Sequence, residues 1–180
     1  SQPADSVVAT LLEKKSIYKV DLSYMLPNEI EIKTNNYEPV CFGLDRFSGT
    51  IYGITDEGRI VSLKNCTYNW DNPILTSISV PKVYGFATDF RVKNIVKELL
   101  KLQKQNLDLY KLIDEIDFGN SYFLKVSIDG LSYRLKLRSD NFINDLNKFI
   151  SFVTKYNPDL TQVKLVDLRF DEMIICNEDN

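Results

Sequence analysis

Alternating apolar and polar residues flank the dipeptide Asp129-Gly130 on both sides, which is the clearest hairpin signal in the chain. Asp-Gly supplies the positive φ angles that two-residue turns require, so the pattern predicts a β-hairpin over residues 122–138. Residues 141–156 then carry an apolar stripe at helical spacing, which predicts a helix. The fold must therefore pack a helix close to a hairpin.

The rest of the chain, which has 180 residues, continues this mixture of elements and predicts an α+β fold. A helix at residues 4–15 and a hairpin over 16–34 that turns at 25–28, with Ile30 and Ile32 facing inward, make a small first unit. The boundary is predicted at residues 35–39, because Pro39 favours an extended residue before it. The other predicted elements are strands at 40–44, 50–55, 59–63, 75–80 and 109–118 and a helix at 89–105. We therefore predict a helix-and-hairpin unit at residues 1–38 and a β-rich domain at residues 39–180, with one mixed or antiparallel sheet and two helices.

The C-terminal stretch 163–176 predicts a strand, a tight turn at Asp171-Glu172 and a second strand. Val163, Leu165 and Ile175 suit a buried sheet face, whereas Asp167, Arg169 and Asp171 do not. A last strand has at most one neighbour in sequence, so one row of its backbone N–H and C=O groups can stay unpaired. Because another chain can pair with such a row, we predict that function lies at this edge and not in a catalytic pocket.

The composition argues against several functional classes. A net charge of −3 does not fit a strongly basic nucleic-acid surface. The chain has no histidine, which removes Ser-His-Asp and Cys-His catalysis and histidine-based zinc sites. The phosphate-binding patterns G-x-x-x-x-G-K-[ST] and G-x-G-x-x-G are also missing from the sequence. We therefore predict no cofactor, no metal site and no catalytic residue.

Three features leave alternatives open. Cys41, Cys66 and Cys176 lack metal-ligand spacing and are expected to be core thiols, although a disulfide is an alternative in an extracytoplasmic protein. Acidic clusters such as Asp56-Glu57 are expected on solvated turns, and a carbohydrate-processing enzyme with paired carboxylates is the alternative. Trp70 is expected to lie beneath a polar loop, with a contact role as the alternative.

The first residue is Ser, which suggests a piece of a longer protein whose membrane anchor was removed. No apolar run approaches the roughly 20 residues that a membrane helix needs. A cytosolic ligand-binding module is the alternative.

Several ordered motifs resemble the bacterial cell-division family FtsQ, called DivIB in Gram-positive bacteria. The C-terminal Val-Asp-Leu-Arg-Phe-Asp at 166–171 is similar to the V-D-[LM]-R-[YF]-D segment of that family. Four further similarities are the segments Val20-Asp21-Leu22 with Leu26-Pro27-Asn28 and Ile30-Glu31-Ile32-Lys33, Thr55-Asp56-Glu57-Gly58-Arg59-Ile60, Val80-Pro81-Lys82-Val83-Tyr84-Gly85, and Ile128-Asp129-Gly130 with Leu135-Lys136-Leu137. The sequence differs at Asn36, where the family usually has an acid, and at Met173, where it usually has glycine. Order and spacing together carry the resemblance over almost the whole chain.

The resemblance implies a POTRA-like domain at residues 1–38, with its first strand missing, and an FtsQ/DivIB-type β domain at residues 39–180. It implies a single-pass type II membrane protein whose extracytoplasmic region acts as a non-enzymatic divisome scaffold. Its partners would be FtsB/DivIC-like and FtsL-like membrane proteins, bound by β-strand addition to regulate septal peptidoglycan synthesis. The corresponding site residues are Arg169, Phe170, Asp171, Met173, Ile174 and Ile175. A POTRA-type component of protein assembly or transport is the alternative.

Overall fold

The structure is a computed structural model that describes residues 3–13, 17–25 and 29–178, and it confirms the α+β class. Within these residues, two sheets are accompanied by four α-helices and a short 3-10 turn at Leu63–Asn65. The helices are α1 (Pro3–Glu13), α2 (Arg91–Gln105), α3 (Leu107–Leu112) and α4 (Phe142–Tyr156). The strands are β1 (Lys19–Met25), β2 (Glu29–Asn35), β3 (Cys41–Asp45), β4 (Ile51–Ile54), β5 (Ile60–Ser62), β6 (Ile74–Ile78), β7 (Ile113–Asp117), β8 (Leu124–Ile128), β9 (Arg134–Leu137), β10 (Leu165–Asp167) and β11 (Ile175–Asn177).

Strands β1 and β2 form a separate antiparallel hairpin next to α1. The expectation that Ile30 and Ile32 face inward is wrong, because both side chains are exposed. A two-stranded sheet with one short helix beside it has little apolar surface with which to cover them. The predicted turn at 25–28 falls largely on residues 26–28, outside the described residues. The domain limits 1–38 and 39–180 stay a prediction.

The other nine strands form one mixed sheet in the order β11-β10-β9-β8-β7-β6-β3-β4-β5. Three neighbouring pairs are parallel, namely β3 with β6, β6 with β7, and β9 with β10. Parallel neighbours need a long crossover connection, which α2 and α3 provide between β6 and β7 and which α4 provides between β9 and β10. The prediction of one mixed or antiparallel sheet is therefore confirmed in its mixed form.

Helices α2 and α4 contact each other and bury their apolar stripes in one hydrophobic core with the large sheet. The side chains that α2 contributes are Val92, Ile95, Val96, Leu99 and Leu102, and those from α4 are Phe142, Leu146 and Phe149. Helix α4 ends at Asn157, which takes the left-handed conformation with φ 42°. The same core includes Val166 of β10 and Leu168 after it, which places β10 against the core.

The prediction of two helices and of a strand at 109–118 needs correction, because the short helix α3 occupies the first part of that stretch. The side chain of Asn106 accepts a hydrogen bond from the N–H of Leu109 at 3.0 Å and caps the helix. The hydroxyl of Tyr110 donates to the carbonyl oxygen of Val40 at 2.5 Å. Helix α3 thus places the buried Tyr110 hydroxyl where it has a hydrogen-bond acceptor, a contact that the predicted strand did not suggest.

The predicted hairpin around Asp129-Gly130 is present as β8 and β9, which pair antiparallel. Its connection spans residues 129–133 and is longer than the two residues expected. Gly130 takes φ 81°, whereas Asp129 keeps a negative φ. A two-residue type I′ turn needs positive φ at both central positions, so this sequence forms a wider loop.

Candidate partner-binding edge

Strand β11 is one of the two edges of the large sheet and pairs only with β10 among the described residues. The register joins Leu165 to Asn177, Val166 to Cys176 and Asp167 to Ile175. Within the described chain, no other segment forms a backbone hydrogen bond with the outer side of β11. The structure therefore has an open edge where the sequence predicted one.

The backbone of Cys176 carries the groups that face away from the sheet. The carbonyl oxygen of Asn177 accepts a hydrogen bond from the N–H of Lys164 at 2.9 Å, so the polar groups of Asn177 point towards β10. Backbone polar groups alternate in direction along a strand, so the N–H and C=O of Cys176 point outwards. The expectation of core thiols holds for buried Cys41 but is wrong for Cys176, whose free thiol is exposed; Cys66 is free and partly buried.

The predicted turn at Asp171-Glu172 is confirmed, but the strands on either side are shorter than expected. Five of the six candidate site residues, Arg169, Phe170, Asp171, Met173 and Ile174, lie in the connection 168–174 and only Ile175 lies on β11. Phe170 is 41% exposed, and Met173 and Ile175 are exposed as well. Ile174 is partly buried against the core. The candidate residues are thus adjacent to the open strand but do not form it.

The expected pattern of buried positions is wrong at Asp167, which is buried, and at Ile175, which is exposed. The Arg169 guanidinium donates to both Asp167 oxygens at 2.9 and 2.8 Å, and Lys136 Nζ lies 3.4 Å from one of them. These charges compensate a carboxylate that the strand pattern placed in solvent. Burial alone would raise the pKa of Asp167, but the hydrogen bonds from Arg169 and the charges of Arg169 and Lys136 hold that pKa below its ordinary value of 3.8.

Arg169 is held by aromatic rings in addition to Asp167. Its guanidinium carbon lies 5.0 Å from the ring centre of Phe123 and 5.6 Å from that of Phe170. Lys136 Nζ lies 4.0 Å from the ring centre of Phe123. These cation–π contacts and the ion pair hold Arg169 in place, and Arg169 in turn contacts the exposed ring of Phe170.

Two basic residues from neighbouring elements hold the connection 168–174 in its conformation. Lys148 on α4 donates to the carbonyl oxygens of Leu168 and Phe170, the second at 2.6 Å. Arg138, which follows β9, bonds buried Asp145 at 2.7 Å and exposed Asp171 at 2.8 Å. The sequence analysis missed Lys148 and Arg138, because a charge on a helix face or after a strand gives no signal for such distant partners.

A groove of about 350 Å³ lies between α4 and this connection. Its walls are Lys148, Ser151, Phe152, Lys155 and Tyr156 on α4 and residues 171–174 opposite. Apolar walls are provided by Phe152, Tyr156, Met173 and Ile174. The edge strand and the groove therefore share the connection 168–174, and a chain bound along β11 would have apolar side-chain positions beside it.

Within the described residues, no group of three or more acidic or cysteine side chains is arranged to hold a metal ion. None of the helices described combines the length and the apolarity that crossing a bilayer requires. No protein-family model and no curated protein matches this chain. The functional argument therefore depends on the geometry around β11 and on the motifs in the sequence.

Proposed function

We propose that this chain is a non-enzymatic binding protein that captures an extended segment of a partner by β-strand addition to β11. The observation that carries the proposal is the position of β11 at the edge of the large sheet, with the polar groups of Cys176 pointing outwards. An added strand gains main-chain hydrogen bonds from such groups, and alternate side chains then give specificity.

The biological setting that we propose is that of the FtsQ/DivIB family. In it, the chain is the extracytoplasmic part of a single-pass membrane protein, with a POTRA-like unit before the β domain. Its partners are FtsB/DivIC-like and FtsL-like membrane proteins, and its role is that of a divisome scaffold that regulates septal peptidoglycan synthesis. The ordered motifs that end in residues 166–171 support this setting, because that segment leads directly to the open strand.

Side chains must supply much of the affinity, because β11 has three residues and only Cys176 presents both of its polar groups outwards. Ile175 on β11 and Phe170 and Met173 in the connection before it are exposed apolar side chains. Aromatic and apolar residues in the centre of an interface usually carry most of the binding energy. The six candidate residues therefore form the side-chain part of the proposed site, and the β11 backbone forms the main-chain part.

Replacement of Cys176 by proline tests the main-chain part directly. Proline removes the outward N–H, but the N–H groups that pair with β10 belong to the neighbouring residues, so the sheet itself should persist. We expect Cys176→Pro to abolish binding of the extracytoplasmic segment of an FtsB/DivIC-type partner in isothermal titration calorimetry. The matched control Cys176→Ala removes the thiol but keeps the N–H, and it should bind like the unmodified chain.

Equal binding by Cys176→Pro and Cys176→Ala, with both proteins folded by circular dichroism, would place the contact elsewhere.

The alternative function in protein assembly or transport predicts a different ligand preference. A POTRA-type transport component should bind unfolded β-strand peptides of unrelated sequence as well as it binds the coiled-coil partner. Selective binding of the coiled-coil partner would separate the two functions.

A further inference from the structure

A second groove, distant in sequence from β11, lies where the β1–β2 hairpin meets the large domain. Its volume is about 940 Å³, near the upper end of the roughly 300–1,000 Å³ that small-molecule sites occupy. The hairpin and the segment after it contribute Tyr18 and residues 34–40. The opposite wall consists of Thr55 and Asp56, loop residues 67–69 with Asn72, and Leu100 and Gln103 of α2.

The lining of this groove is dominated by uncharged polar groups. Amides come from Asn35, Asn36, Asn69, Asn72 and Gln103, and hydroxyls come from Thr34, Thr55, Thr67, Tyr18, Tyr37 and Tyr68. Within the described chain, the side chains of Asn36 and Gln103 make no hydrogen bond to protein. An amide offers two donors and an acceptor, so these side chains have bonding capacity for a ligand.

The charges in the groove argue against a phosphorylated or otherwise anionic ligand. The residues that line it, all within the described chain, include no lysine and no arginine, and its two acidic residues are Glu38 and Asp56. Phosphate and nucleic-acid sites depend on basic side chains that neutralise the ligand. The charges of the groove therefore disfavour an anionic ligand.

One lining residue of the groove, Tyr68, belongs to an aromatic cluster. Tyr68, which lines the groove, packs against Trp70 with ring centres 4.9 Å apart, and both rings contact Phe42. Trp70 is 64% exposed, so the expectation that it lies beneath the loop is wrong. An exposed tryptophan held edge-on to a tyrosine provides a rigid apolar face that loses little entropy on binding.

The groove walls are connected by hydrogen bonds before any ligand binds. The side chain of Asn72 donates to the carbonyl oxygen of Pro39 at 2.8 Å. The backbone of Tyr37 donates to Asn65 at 2.9 Å and accepts from Thr67 at 2.8 Å. These bonds join the segment after the hairpin to the opposite loop, so the site does not need to form when the ligand arrives.

We propose that this groove binds a neutral oligosaccharide. The apolar faces of pyranose rings would pack on Tyr68 and Trp70, and the ring hydroxyls would exchange hydrogen bonds with the amides of Asn36 and Gln103. This combination of free amides, tyrosines and an exposed tryptophan without basic residues suits a sugar better than a peptide, whose termini and side chains often carry charge. The proposal is independent of strand addition at β11.

The test uses the chain with five probes. Three are neutral pentasaccharides, namely the β-1,4-linked N-acetylglucosamine pentamer, cellopentaose and maltopentaose. The other two are a heparin-derived pentasaccharide and an uncharged peptide of equal mass. Binding is measured by calorimetry and by tryptophan fluorescence, to which exposed Trp70 is expected to respond. We expect at least one neutral pentamer to bind. Gln103→Ala and Asn36→Ala should each weaken that binding at least about fivefold, the loss of one hydrogen bond. Tyr68→Ala should weaken it about tenfold.

The control variant Gln105→Ala changes the same residue type on the same helix, outside the groove, and should bind as the unmodified chain does. Alanine favours helix, so neither glutamine variant should unfold α2. Failure of all three neutral pentamers to bind at millimolar concentration would overturn the proposal. So would tighter binding of the heparin fragment or of the peptide, or equal binding by Gln103→Ala, Asn36→Ala and the control.

Discussion

The two edges of the nine-stranded sheet differ in whether the outward backbone groups of the edge strand are hydrogen-bonded. At β5, the N–H of Ile60 donates to the carbonyl oxygen of Gly85 at 2.8 Å, and the carbonyl oxygen of Ile60 accepts from Tyr84 at 2.7 Å. The loop around residues 82–86 therefore occupies the outer side of that strand. At β11, the equivalent groups of Cys176 have no backbone partner in the described chain. The sequence covers one edge and leaves the other available, which is the pattern expected if the open edge has a use.

The two edges also carry similar side chains, which makes the comparison close. Phe86, beside β5, is 47% exposed, and Arg59 lies 5.4 Å from its ring centre. Phe170, beside β11, is 41% exposed, and Arg169 lies 5.6 Å from its ring centre. An exposed phenylalanine under an arginine is therefore not itself a mark of a binding site. The two edges differ instead in their backbone, because in the described chain β11 has unpaired outward groups, whereas outward groups of β5 bond the loop around residues 82–86.

The largest expected effect concerns the buried charge that holds the β11 side. Asp167→Asn leaves Arg169 and Lys136 without their anion, and we expect it to lower the free energy of unfolding by about 3 kcal/mol at neutral pH. The pKa of Asp167 is lower in the folded chain than in the unfolded chain. Its stabilising contribution is therefore complete above the ordinary pKa of 3.8, which applies to the unfolded chain, and is lost as the pH falls through the lower folded pKa.

Urea unfolding at a series of pH values measures this difference, which should disappear in acid. Hydrogen exchange should show loss of protection in β10 and β11 with no change at Ile60 and Tyr84. The control Asp171→Asn removes an exposed carboxylate that pairs with Arg138. It should lower the free energy of unfolding by less than about 1 kcal/mol. A cost for Asp167→Asn that does not depend on pH would contradict the electrostatic explanation.

The second prediction concerns the paired phenylalanines. We expect Phe170→Ala to weaken partner binding by about 2 kcal/mol, because Phe170 is an exposed aromatic side chain in the connection that leads to β11. Phe86→Ala is the matched control, since it removes a similar ring at the covered edge, and it should leave binding unchanged. Calorimetry with the same partner segment measures both variants, and circular dichroism checks their folding. Equal losses in the two variants would remove the functional difference between the edges.

The smallest expected effect comes from opening the covered edge. Arg59 donates to the carbonyl oxygen of Tyr84 at 3.0 Å and holds the loop against β5. Arg59→Ala should lower the free energy of unfolding by about 1 kcal/mol and increase hydrogen exchange at Ile60 and Tyr84. The control Lys93→Ala removes only a distant cation, 5.8 Å from the Phe86 ring centre, and should leave exchange unchanged. Unchanged exchange in Arg59→Ala would mean that the loop covers β5 without this arginine.

The sequence predicted those features that depend on local periodicity. Helices α2 and α4, the β8–β9 hairpin and the last edge strand all follow from residue spacing within about 15 positions. Two of the misses have a different cause, because helix α3 and buried Asp167 depend on distant partners. The side chain of Tyr110 bonds Val40, 70 residues away, and helps to explain helix α3. Asp167 is buried because Lys136 and Arg169 neutralise it, and Lys136 comes from another strand.

The candidate site also has parts that the sequence could predict and parts that it could not. The motif at residues 166–171 drew attention to the segment before β11, and the sheet order of the described strands shows that β11 lies at an edge. The roles of Lys148 and Arg138 in holding residues 168–174 could not be predicted, because spacing along the chain does not reveal which carbonyl a lysine reaches. The groove at Tyr68 and Gln103 also joins distant segments, and only the folded chain brings their amides and rings together.

The place of β11 after every other strand has a consequence for protein synthesis. A nascent chain emerges from the ribosome with β10 before β11, so β10 is for a time the outermost strand of the growing sheet. Val166 on β10 and Leu168 after it are buried apolar residues in the folded chain. Until β11 has been synthesised, β10 can therefore pair with strands of other chains. Translation that stops before Ile175 would therefore release a product prone to aggregation.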